Sequence, residues 1–249
     1  MTKIYVIGIG YKPFDKRQRE IIYNSEFILS SSRLFEVFKG YEEFEKVKER
    51  VLIIDNVDET INFIKSKIRT QGGLCPPCEI PLEEKGLTRE TMFPPCGITV
   101  LASGDPLFFG IGRRVISEFR KDMMEIIPDL SSIQVAFSRI KEPWDDAFLM
   151  SLHKGPDPKK RRKLKYEIKD IPALLKRHKK IAILTDKENN PTGIAKILTS
   201  SPITRNLSLI MFVCERLGYP DEKIIEGTPE DIAGKSFSIP NVVIVLMKT

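Results

Sequence analysis

Short apolar runs alternate with amphipathic segments along almost the whole chain. Nine of these runs, each of five to seven residues, are rich in valine, isoleucine, leucine and phenylalanine, which is typical of β-strands. They are residues 3–8, 26–30, 50–55, 97–103, 124–128, 147–151, 180–185, 207–213 and 241–247. The alternation of such strands with helices predicts an α/β fold with mostly parallel central sheets.

Helical periodicity is clearest between the third and fourth runs. Apolar residues recur there at steps of four, three and four and so share one helix face, namely Val57, Ile61, Ile64 and Ile68. We expect this helix to begin near Asn56 or Asp58. Asn190-Pro191 and Thr228-Pro229 predict two further helix starts, because each pair places proline directly after a capping side chain.

Nine strands fit either one wide sheet or two sheets of four or five strands, and we favour two domains. Pro128 and Asp129 interrupt the pattern, so we expect an N-terminal α/β domain over 1–127 and a C-terminal α/β domain over 128–249. Residues 70–97 carry five prolines and little periodicity, which favours an inserted long loop or β-ribbon. Residues 154–165 predict a strongly basic surface loop.

Composition limits the kind of partner and the compartment. The chain has 249 residues and a net charge of +6, which favours anionic partners. The longest apolar runs have six or seven residues, far below the roughly 20 that cross a bilayer. The amino terminus reads as a strand and not as a signal peptide. We therefore expect a soluble cytoplasmic protein that does not contact the membrane.

The cysteines leave three interpretations open. Cys75 and Cys78 flank two prolines, Cys96 follows two more, and Cys214 lies far along the chain. The first three thiolates suit zinc or an iron–sulfur cluster, with Cys214 as the fourth ligand. A redox-active disulfide is the second interpretation, and a loop without any ligand is the third. We favour the unliganded loop and expect no metal, and the presence of only two histidines also argues against a histidine-rich metal site.

Two glycine-bearing turns carry the candidate chemistry. Gly8 and Gly10 end the first strand, but Pro13 occupies the third glycine position of a dinucleotide fingerprint. The second strand also ends in serines, where that fingerprint needs an acid. A tight turn after the strand accounts for both glycines without a nicotinamide cofactor.

The second turn, "SGDPLFFGIG" over 103–112, is more informative. Ser103 and Gly104 allow another molecule to approach the main chain. Asp105 can accept hydrogen bonds from an amine or from ribose hydroxyls, and Phe108 offers a flat apolar surface. An ordinary strand–turn–helix junction with buried aromatic rings is the alternative interpretation.

Four ordered blocks resemble the tetrapyrrole (corrin/porphyrin) methylase family, and within it the precorrin methyltransferases of the CbiE type. The blocks begin with "VLASGDPLFFGIGRRVI" and "IIPDLSSIQVAFSRIKEPWDDAFLMSLH". They continue with "IAILTDKENNPTGIAKIL" and "CERLGYPDEKIIEGTPEDIAGKSFSIPNVVIVL". Together they cover most of residues 97–153 and 180–247.

The resemblance implies a fold, a cofactor and a reaction. The fold is two α/β domains of the class III methyltransferase type with S-adenosyl-L-methionine in the cleft between them, usually in a homodimer. The reaction is methyl transfer to carbon 5 of precorrin-7 or its cobalt complex in cobalamin biosynthesis. Some relatives carry a second methyltransferase for carbon 15 and a decarboxylation. The chain ends at Thr249 without one, so we expect a separate partner for that step.

The resemblance also implies site residues. The expected cofactor-binding residues are Gly8, Gly10, Ser103, Gly104, Asp105, Phe108, Ser131, Ser132, Thr185 and Gly218. The expected substrate-binding residues are Arg113, Arg114, Arg139, His153 and Lys154, whose charges suit a macrocycle with many carboxylates. Asp105 is the candidate general base. Each position also fits an ordinary structural role: Ser131 or Ser132 as a helix cap, Thr185 as a strand end, Gly218 as a helix C-cap, and the basic residues as solvated charges.

The chain departs from the family pattern at two places. The usual Gly-x-Gly-Pro-Gly turn is here Gly10-Tyr11-Lys12, and the usual Ser-Leu-His-Gly-Arg is here "SLHKG". Two alternative functions remain at this point. One is a methyltransferase of the same fold acting on RNA or a translation factor, which the basic run at 159–165 would serve, although nucleic acid is the less expected partner. The other is a non-catalytic tetrapyrrole-binding relative.

Overall fold

The computed structural model describes residues 2–70, 97–154 and 163–248. The chain divides into two compact units, Met1–Ser131 and Ser132–Thr249. The predicted insert at 70–97 and the predicted basic loop at 154–165 lie mostly outside the described residues.

The first unit contains a five-stranded, entirely parallel sheet in the order β3-β2-β4-β1-β5. Its strands are β1 (Lys3–Ile9), β2 (Ser25–Ser30), β3 (Val51–Ile53), β4 (Gly97–Ser103) and β5 (Met124–Ile127). Its α-helices are α1 (Lys16–Asn24), α2 (Ser32–Phe38), α3 (Phe44–Val47), α4 (Val57–Thr70) and α5 (Gly112–Glu118), with short 3₁₀ turns at Lys48–Arg50 and Lys121–Met123.

Helices cover both faces of this sheet, which explains why β1 and β4 are almost continuously apolar. One core cluster joins Ile7, Ile22 and Phe38, and the other joins Val6, Ile64 and Val115. The helix expected from Val57, Ile61, Ile64 and Ile68 is therefore confirmed as α4. Its first turn is capped by Asn56, whose Oδ1 accepts hydrogen bonds from the N–H groups of Asp58 and Glu59.

The second unit contains a mixed sheet in the order β6-β7-β10-β8-β9. Its strands are β6 (Phe148–Ser151), β7 (Lys180–Leu184), β8 (Leu209–Glu215), β9 (Lys223–Gly227) and β10 (Asn241–Met247). Its α-helices are α6 (Ser132–Ile140), α7 (Ile171–His178), α8 (Pro191–Ser200) and α9 (Pro229–Ala233), with a 3₁₀ turn at Ile168–Asp170. Asn190 and Thr228 cap α8 and α9 as expected.

Two sequence expectations for this unit are wrong. The sheet is not mostly parallel, because β6 and β7 are the one parallel pair among its described strands, and strand β9 was not expected. The segment between Glu215 and Lys223 is too short for the crossover helix that parallel neighbours need, so β9 returns antiparallel beside β8. Since β7 and β8 are both antiparallel to β10, the carboxyl ends of β6, β7 and β8 lie at one edge of the sheet.

The membrane expectation concerns helix length and polarity. Across residues 2–70, 97–154 and 163–248, no helix is both long enough and apolar enough to span a bilayer.

Candidate functional site

The carboxyl ends of β1 and β4 meet in direct backbone contact. These strands are parallel neighbours, with Gly8 opposite Ala102 and Ile9 opposite Ser103. A Cβ on Gly8 would lie 1.9 Å from the Gly104 carbonyl oxygen and 2.5 Å from the Asp129 nitrogen. A side chain at Gly8 would therefore force the two strand ends apart. The structure places Gly8 in this packing contact, with its α-carbon covered by protein.

Gly104 turns the chain sharply after β4. Its φ of +59° lies in the left-handed region, and a Cβ there would lie 2.5 Å from the Leu130 carbonyl oxygen. Its N–H donates to the Ile9 carbonyl at 3.0 Å. Gly104 is buried, whereas Ser103 before it is exposed and Asp105 after it is half-buried. The bend thus presents Ser103 and Asp105 at the surface. Gly104 between them packs against the backbone of residues 130–131.

Gly10 differs from these two glycines because its α-carbon faces open space. Its φ is +132°, a conformation that L side chains rarely adopt, and a Cβ would meet nothing within 4 Å. The strand end therefore offers bare main chain beside the exposed Ser103. This bare backbone fits a ligand that packs closely against peptide groups, as a nucleoside or an amino acid does.

The loop from Asp105 to Gly112 is shaped by its own hydrogen bonds. Asp105 Oδ1 accepts the Leu107 N–H at 2.8 Å, and Gly112 N–H donates to the Pro106 carbonyl at 3.0 Å. A Cβ on Gly112 would lie 2.8 Å from that same carbonyl oxygen, so the turn needs glycine there. The loop displays two half-buried rings, Phe108 and Phe109, whose centroids are 4.9 Å apart in an edge-to-face arrangement.

The expected substrate arginines of this unit begin α5. Arg113 and Arg114 are both exposed, and Arg114 pairs with Glu118 at 3.0 Å and with Asp58 at 3.5 Å. Of the expected serines, Ser131 is buried at the end of the first unit, and Ser132 is the first residue of α6.

In the second unit, the loops after β6 and β7 are joined through one carboxylate. Asp186 Oδ2 accepts the Lys154 N–H at 2.9 Å, and Oδ1 accepts the N–H groups of Glu188 and Asn189. Burial raises the pKa of Asp186, but these backbone hydrogen bonds outweigh it and leave the pKa below its usual value. Two expected substrate residues, the exposed His153 and the half-buried Lys154, lie on this fixed loop.

Thr185 follows β7 at the same edge. Its hydroxyl donates to the Asn241 backbone carbonyl at 2.8 Å and also contacts the Asn241 side-chain oxygen. Asn241 opens β10 and pairs with Glu215, the last residue of β8. Asn241 therefore links Thr185, which follows β7, to the carboxyl end of β8.

Arg139 and Gly218 are brought together by a residue that was not expected. Arg139 Nε donates to Glu222 Oε1 at 2.5 Å, and Glu222 Oε2 accepts the Gly218 N–H at 2.8 Å. The hydrogen bond from Arg139 holds the pKa of Glu222 below its usual range. Gly218 itself has a φ of +81°. The contacts of Arg139 thus fix the loop after β8, and its contact with a substrate carboxylate stays a prediction.

The cysteine interpretations are tested at one position. Cys214 lies in β8 with no exposed surface, and burial raises the pKa of its thiol to about 12. A buried thiol of this kind is typical of a structural cysteine. Cys75, Cys78 and Cys96 lie outside the described residues. Among the residues that the structure does describe, no cluster of three metal-binding side chains occurs.

Sequence reasoning missed Tyr41, Asp129, Asp186, Glu222 and Asn241. Each contacts a backbone or side-chain group distant in the chain, such as Asp129 with the Tyr11 N–H, 118 residues away, and Glu222 with the Arg139 guanidinium, 83 residues away. Asp129 and Asp186 are each the second residue after a strand, β5 and β7, and this position at the carboxyl end of a strand is a local signal that could have found them.

The fold and these strand ends together define a two-unit α/β protein with bare, glycine-bearing loops at the carboxyl ends of its strands. The family model "Tetrapyrrole (Corrin/Porphyrin) Methylases" matches residues 97–233. The chain belongs to this family.

Individual relatives agree. The chain is 27% identical over 241 residues to the "Probable cobalt-precorrin-7 C(5)-methyltransferase" of Methanocaldococcus jannaschii, covering 94% of this chain and 93% of that protein. Among solved structures, it resembles the precorrin-6Y methylase (cbiE) of Archaeoglobus fulgidus with a TM-score of 0.59 and 22% identity, over 100% of this chain and 98% of the other. It also resembles the Thermus thermophilus uroporphyrin-III C-methyltransferase complexed with S-adenosylhomocysteine, with a TM-score of 0.61 and 15% identity over 98% and 91% of the two chains. The last two likenesses concern the fold.

Proposed function

We propose that this chain is an S-adenosylmethionine-dependent C-methyltransferase that methylates carbon 5 of cobalt-precorrin-7 in cobalamin biosynthesis. The observation that carries the proposal is the relative from Methanocaldococcus jannaschii, which bears that activity in its name and aligns over 94% of this chain. The family match over residues 97–233 supports the reaction class independently.

The first unit offers a surface that fits the cofactor. Gly10 leaves open space before its α-carbon, Ser103 is exposed, and the half-buried ring of Phe108 supplies an apolar flank. We assign these three residues and Asp105 to cofactor contact. Gly8 and Gly104 keep the backbone in shape beneath that surface. The related uroporphyrin-III C-methyltransferase was solved with S-adenosylhomocysteine, which supports the same class of cofactor here.

The remaining cofactor assignments follow the family pattern. Ser131 and Ser132 are proposed for the methionine portion, and Thr185 and Gly218 for the adenine. The hydrogen bonds of Thr185 to Asn241 and of Gly218 to Glu222 keep these two strand-end loops in fixed conformations. Such preorganisation limits the ordering entropy that binding costs.

The chemistry asks these residues mainly to align the reactants and exclude water. S-adenosylmethionine supplies an electrophilic methyl group on a good leaving group, so no side-chain nucleophile is required. The chain contributes positioning, which accounts for large rate gains when reacting atoms are held in line. Arg113, His153 and Lys154 are proposed to meet substrate carboxylates. Arg114 already pairs with Glu118 and Asp58 and has a weaker claim.

Asp105 is proposed to shape the loop and contact the cofactor, because its Oδ1 already accepts the Leu107 N–H. Asp105→Asn separates this role from that of a general base. An asparagine preserves the turn, so we expect the kcat of Asp105→Asn to stay within about tenfold of the parent value. If Asp105 were the general base, its loss would lower kcat by about 10²-fold or more.

The direct test incubates the protein with isotopically labelled S-adenosylmethionine and cobalt-precorrin-7. We expect mass analysis to show one added methyl group that carries the label, with substitution at carbon 5 confirmed by NMR. A parallel incubation with metal-free precorrin-7 reports whether cobalt is needed. Binding of both ligands without methyl transfer would contradict the proposal and favour a tetrapyrrole carrier.

The proposal extends to assembly and setting. We infer a homodimer, a cytoplasmic location, and a separate protein that methylates carbon 15, as the family pattern implies. Light scattering on a gel-filtration column measures the first point, and a mass near twice 28.5 kDa is expected.

A further inference from the structure

The loop that follows β1 is held by two side chains, those of Tyr41 and Asp129, which lie outside both glycine-bearing turns. Tyr41 lies just beyond α2, and its hydroxyl oxygen accepts the Gly10 N–H at 2.9 Å and donates to the Lys12 carbonyl at 3.0 Å. Asp129 lies just beyond β5, and its Oδ2 accepts the Tyr11 N–H at 2.7 Å and the Lys12 N–H at 3.3 Å. Three consecutive amide groups therefore point at protein oxygens.

These contacts sit where the chain lacks the family's usual turn. In Gly-x-Gly-Pro-Gly, a proline and a glycine would follow Gly10, whereas this chain has Tyr11 and Lys12. Proline restricts the backbone by its ring. Without a proline, the backbone conformation of this loop must be restricted by other interactions. Tyr41 and Asp129 provide it through hydrogen bonds from positions 31 and 118 residues away from their partners.

The side chains of Tyr41 and Asp129 are each held in place by further contacts. The Tyr41 ring packs on Phe14 with centroids 4.6 Å apart and on Phe38 at 5.9 Å. Burial is the main cause that raises the pKa of Tyr41, so the hydroxyl keeps its proton and can donate at neutral pH. Asp129 Oδ1 accepts the Leu130 N–H at 2.7 Å, and its backbone N–H reaches the Gly104 carbonyl at 3.3 Å.

The arrangement has a consequence for ligand choice. Successive backbone N–H groups at a strand end form a site for phosphate or carboxylate when they are free. Here the N–H groups of Gly10, Tyr11 and Lys12 already have protein acceptors, and the acceptor for the last two is the carboxylate of Asp129. The loop thus disfavours an anionic group and suits a ligand with a cationic centre and an uncharged nucleoside.

We propose that Tyr41 and Asp129 are positioning residues that replace the missing proline turn and hold the Gly10 loop ready for S-adenosylmethionine. This inference rests on the proposed cofactor. Both side chains act through the backbone, so their loss weakens cofactor binding without removing a group that takes part in methyl transfer.

The test uses Tyr41→Phe, which keeps the ring packing and removes the hydroxyl, and Asp129→Asn, whose single side-chain oxygen cannot serve both sets of amides. Tyr23→Phe and Asp122→Asn are matched controls in the same unit, away from the loop. Calorimetry is expected to show S-adenosylmethionine and S-adenosylhomocysteine binding weakened roughly three- to tenfold per variant, as for the loss of one or two net hydrogen bonds. The controls are expected to bind as the parent does.

Two further readouts separate positioning from general stability. In the unliganded protein, hydrogen exchange of the peptide covering residues 10–13 is expected to accelerate in both variants, while the α1 peptide exchanges as before. In the methylation assay, KM for S-adenosylmethionine is expected to rise while kcat at saturating cofactor stays within about twofold. Asp129→Glu, which keeps the carboxylate, is expected to recover part of the binding.

The outcomes distinguish the two proposals. Parent protein that fails to bind S-adenosylmethionine overturns the proposed function. Parent protein that binds, with variants that match it in both affinity and loop exchange, overturns the positioning role alone. A fall in kcat with unchanged KM also overturns it, because that result assigns the residues to the chemical step.

Discussion

Gly104 tests whether the bend after β4 depends on the absence of a side chain. Gly104→Ala adds a Cβ that would lie 2.5 Å from the Leu130 carbonyl oxygen and forces alanine into a φ of +59°. We expect a loss of about 2 kcal/mol or more in the free energy of unfolding, from left-handed strain and overpacking together. Urea denaturation measures it. Gly234→Ala is the control, because a Cβ there meets nothing within 4 Å. Equal stabilities for the two variants would contradict the packing argument.

Glu222 makes a pH prediction that follows from its salt bridge. Its folded-state pKa is lowered, so its contribution is present above the unfolded value of about 4.3 and is lost as pH falls through the lower folded value. The stability difference between the parent and Glu222→Gln is therefore expected to be constant from about pH 6 to 8 and to shrink below about pH 4. Unfolding free energies across pH measure it. A difference that instead grows towards acid would contradict the assigned partner.

Cys214 makes a prediction about thiol reactivity. In a variant with Cys75, Cys78 and Cys96 replaced by serine, Cys214 is the single remaining thiol. Because it is buried and burial raises its pKa to about 12, we expect no reaction with Ellman's reagent at pH 8 in the native state and one equivalent after unfolding. Rapid reaction of the folded variant would show that β8 opens to solvent.

At the scale of secondary-structure elements, the Asp186 contacts predict a coupling between two loops. Asp186→Ala removes the acceptor for three backbone N–H groups, from Lys154, Glu188 and Asn189. We expect an unfolding free energy lower by about 2–3 kcal/mol, because charged acceptors make the stronger hydrogen bonds. Faster hydrogen exchange is expected in the loops after both β6 and β7. Asp145→Ala, at an exposed position, is the control. A change confined to the β7 loop would contradict the coupling.

The elements also show what sequence pattern can and cannot predict. Strands β4 and β10 were predicted at their observed bounds, and α4 from its apolar face, because burial on a sheet or helix face leaves a local period. Strand β9 has exposed charges at Lys223 and Glu226 and lies at a sheet edge, so it lacks that signal. Strand direction depends on the connections, which apolar pattern alone does not encode.

The same distinction applies to the site. Ser103, Gly104 and Asp105 could be singled out because strand end, glycine and acid are adjacent in the sequence. The contacts of Tyr41 and Asp129 could not be predicted, because their partners are backbone N–H groups at Gly10 and Tyr11, which every residue type except proline supplies. Side chains that bond to distant main chain leave no paired sequence pattern.

At the scale of the whole molecule, charge makes a prediction that separates the two ligands. The chain carries +6, and the proposed macrocycle carries many carboxylates, so long-range attraction should speed their association. S-adenosylmethionine has a small net charge and gains little from this field. Raising salt from about 50 to 300 mM shortens the screening length from roughly 14 to 6 Å.

We therefore expect KM for the tetrapyrrole to rise several-fold over that range while Kd for S-adenosylmethionine changes by less than about twofold. Initial rates at saturating cofactor measure the first quantity and calorimetry the second. A chloride and an acetate series at equal ionic strength distinguish screening from specific anion binding. If both ligands lost affinity equally, the salt would be acting on the fold and not on the encounter, and the positive charge would have no part in selecting the substrate.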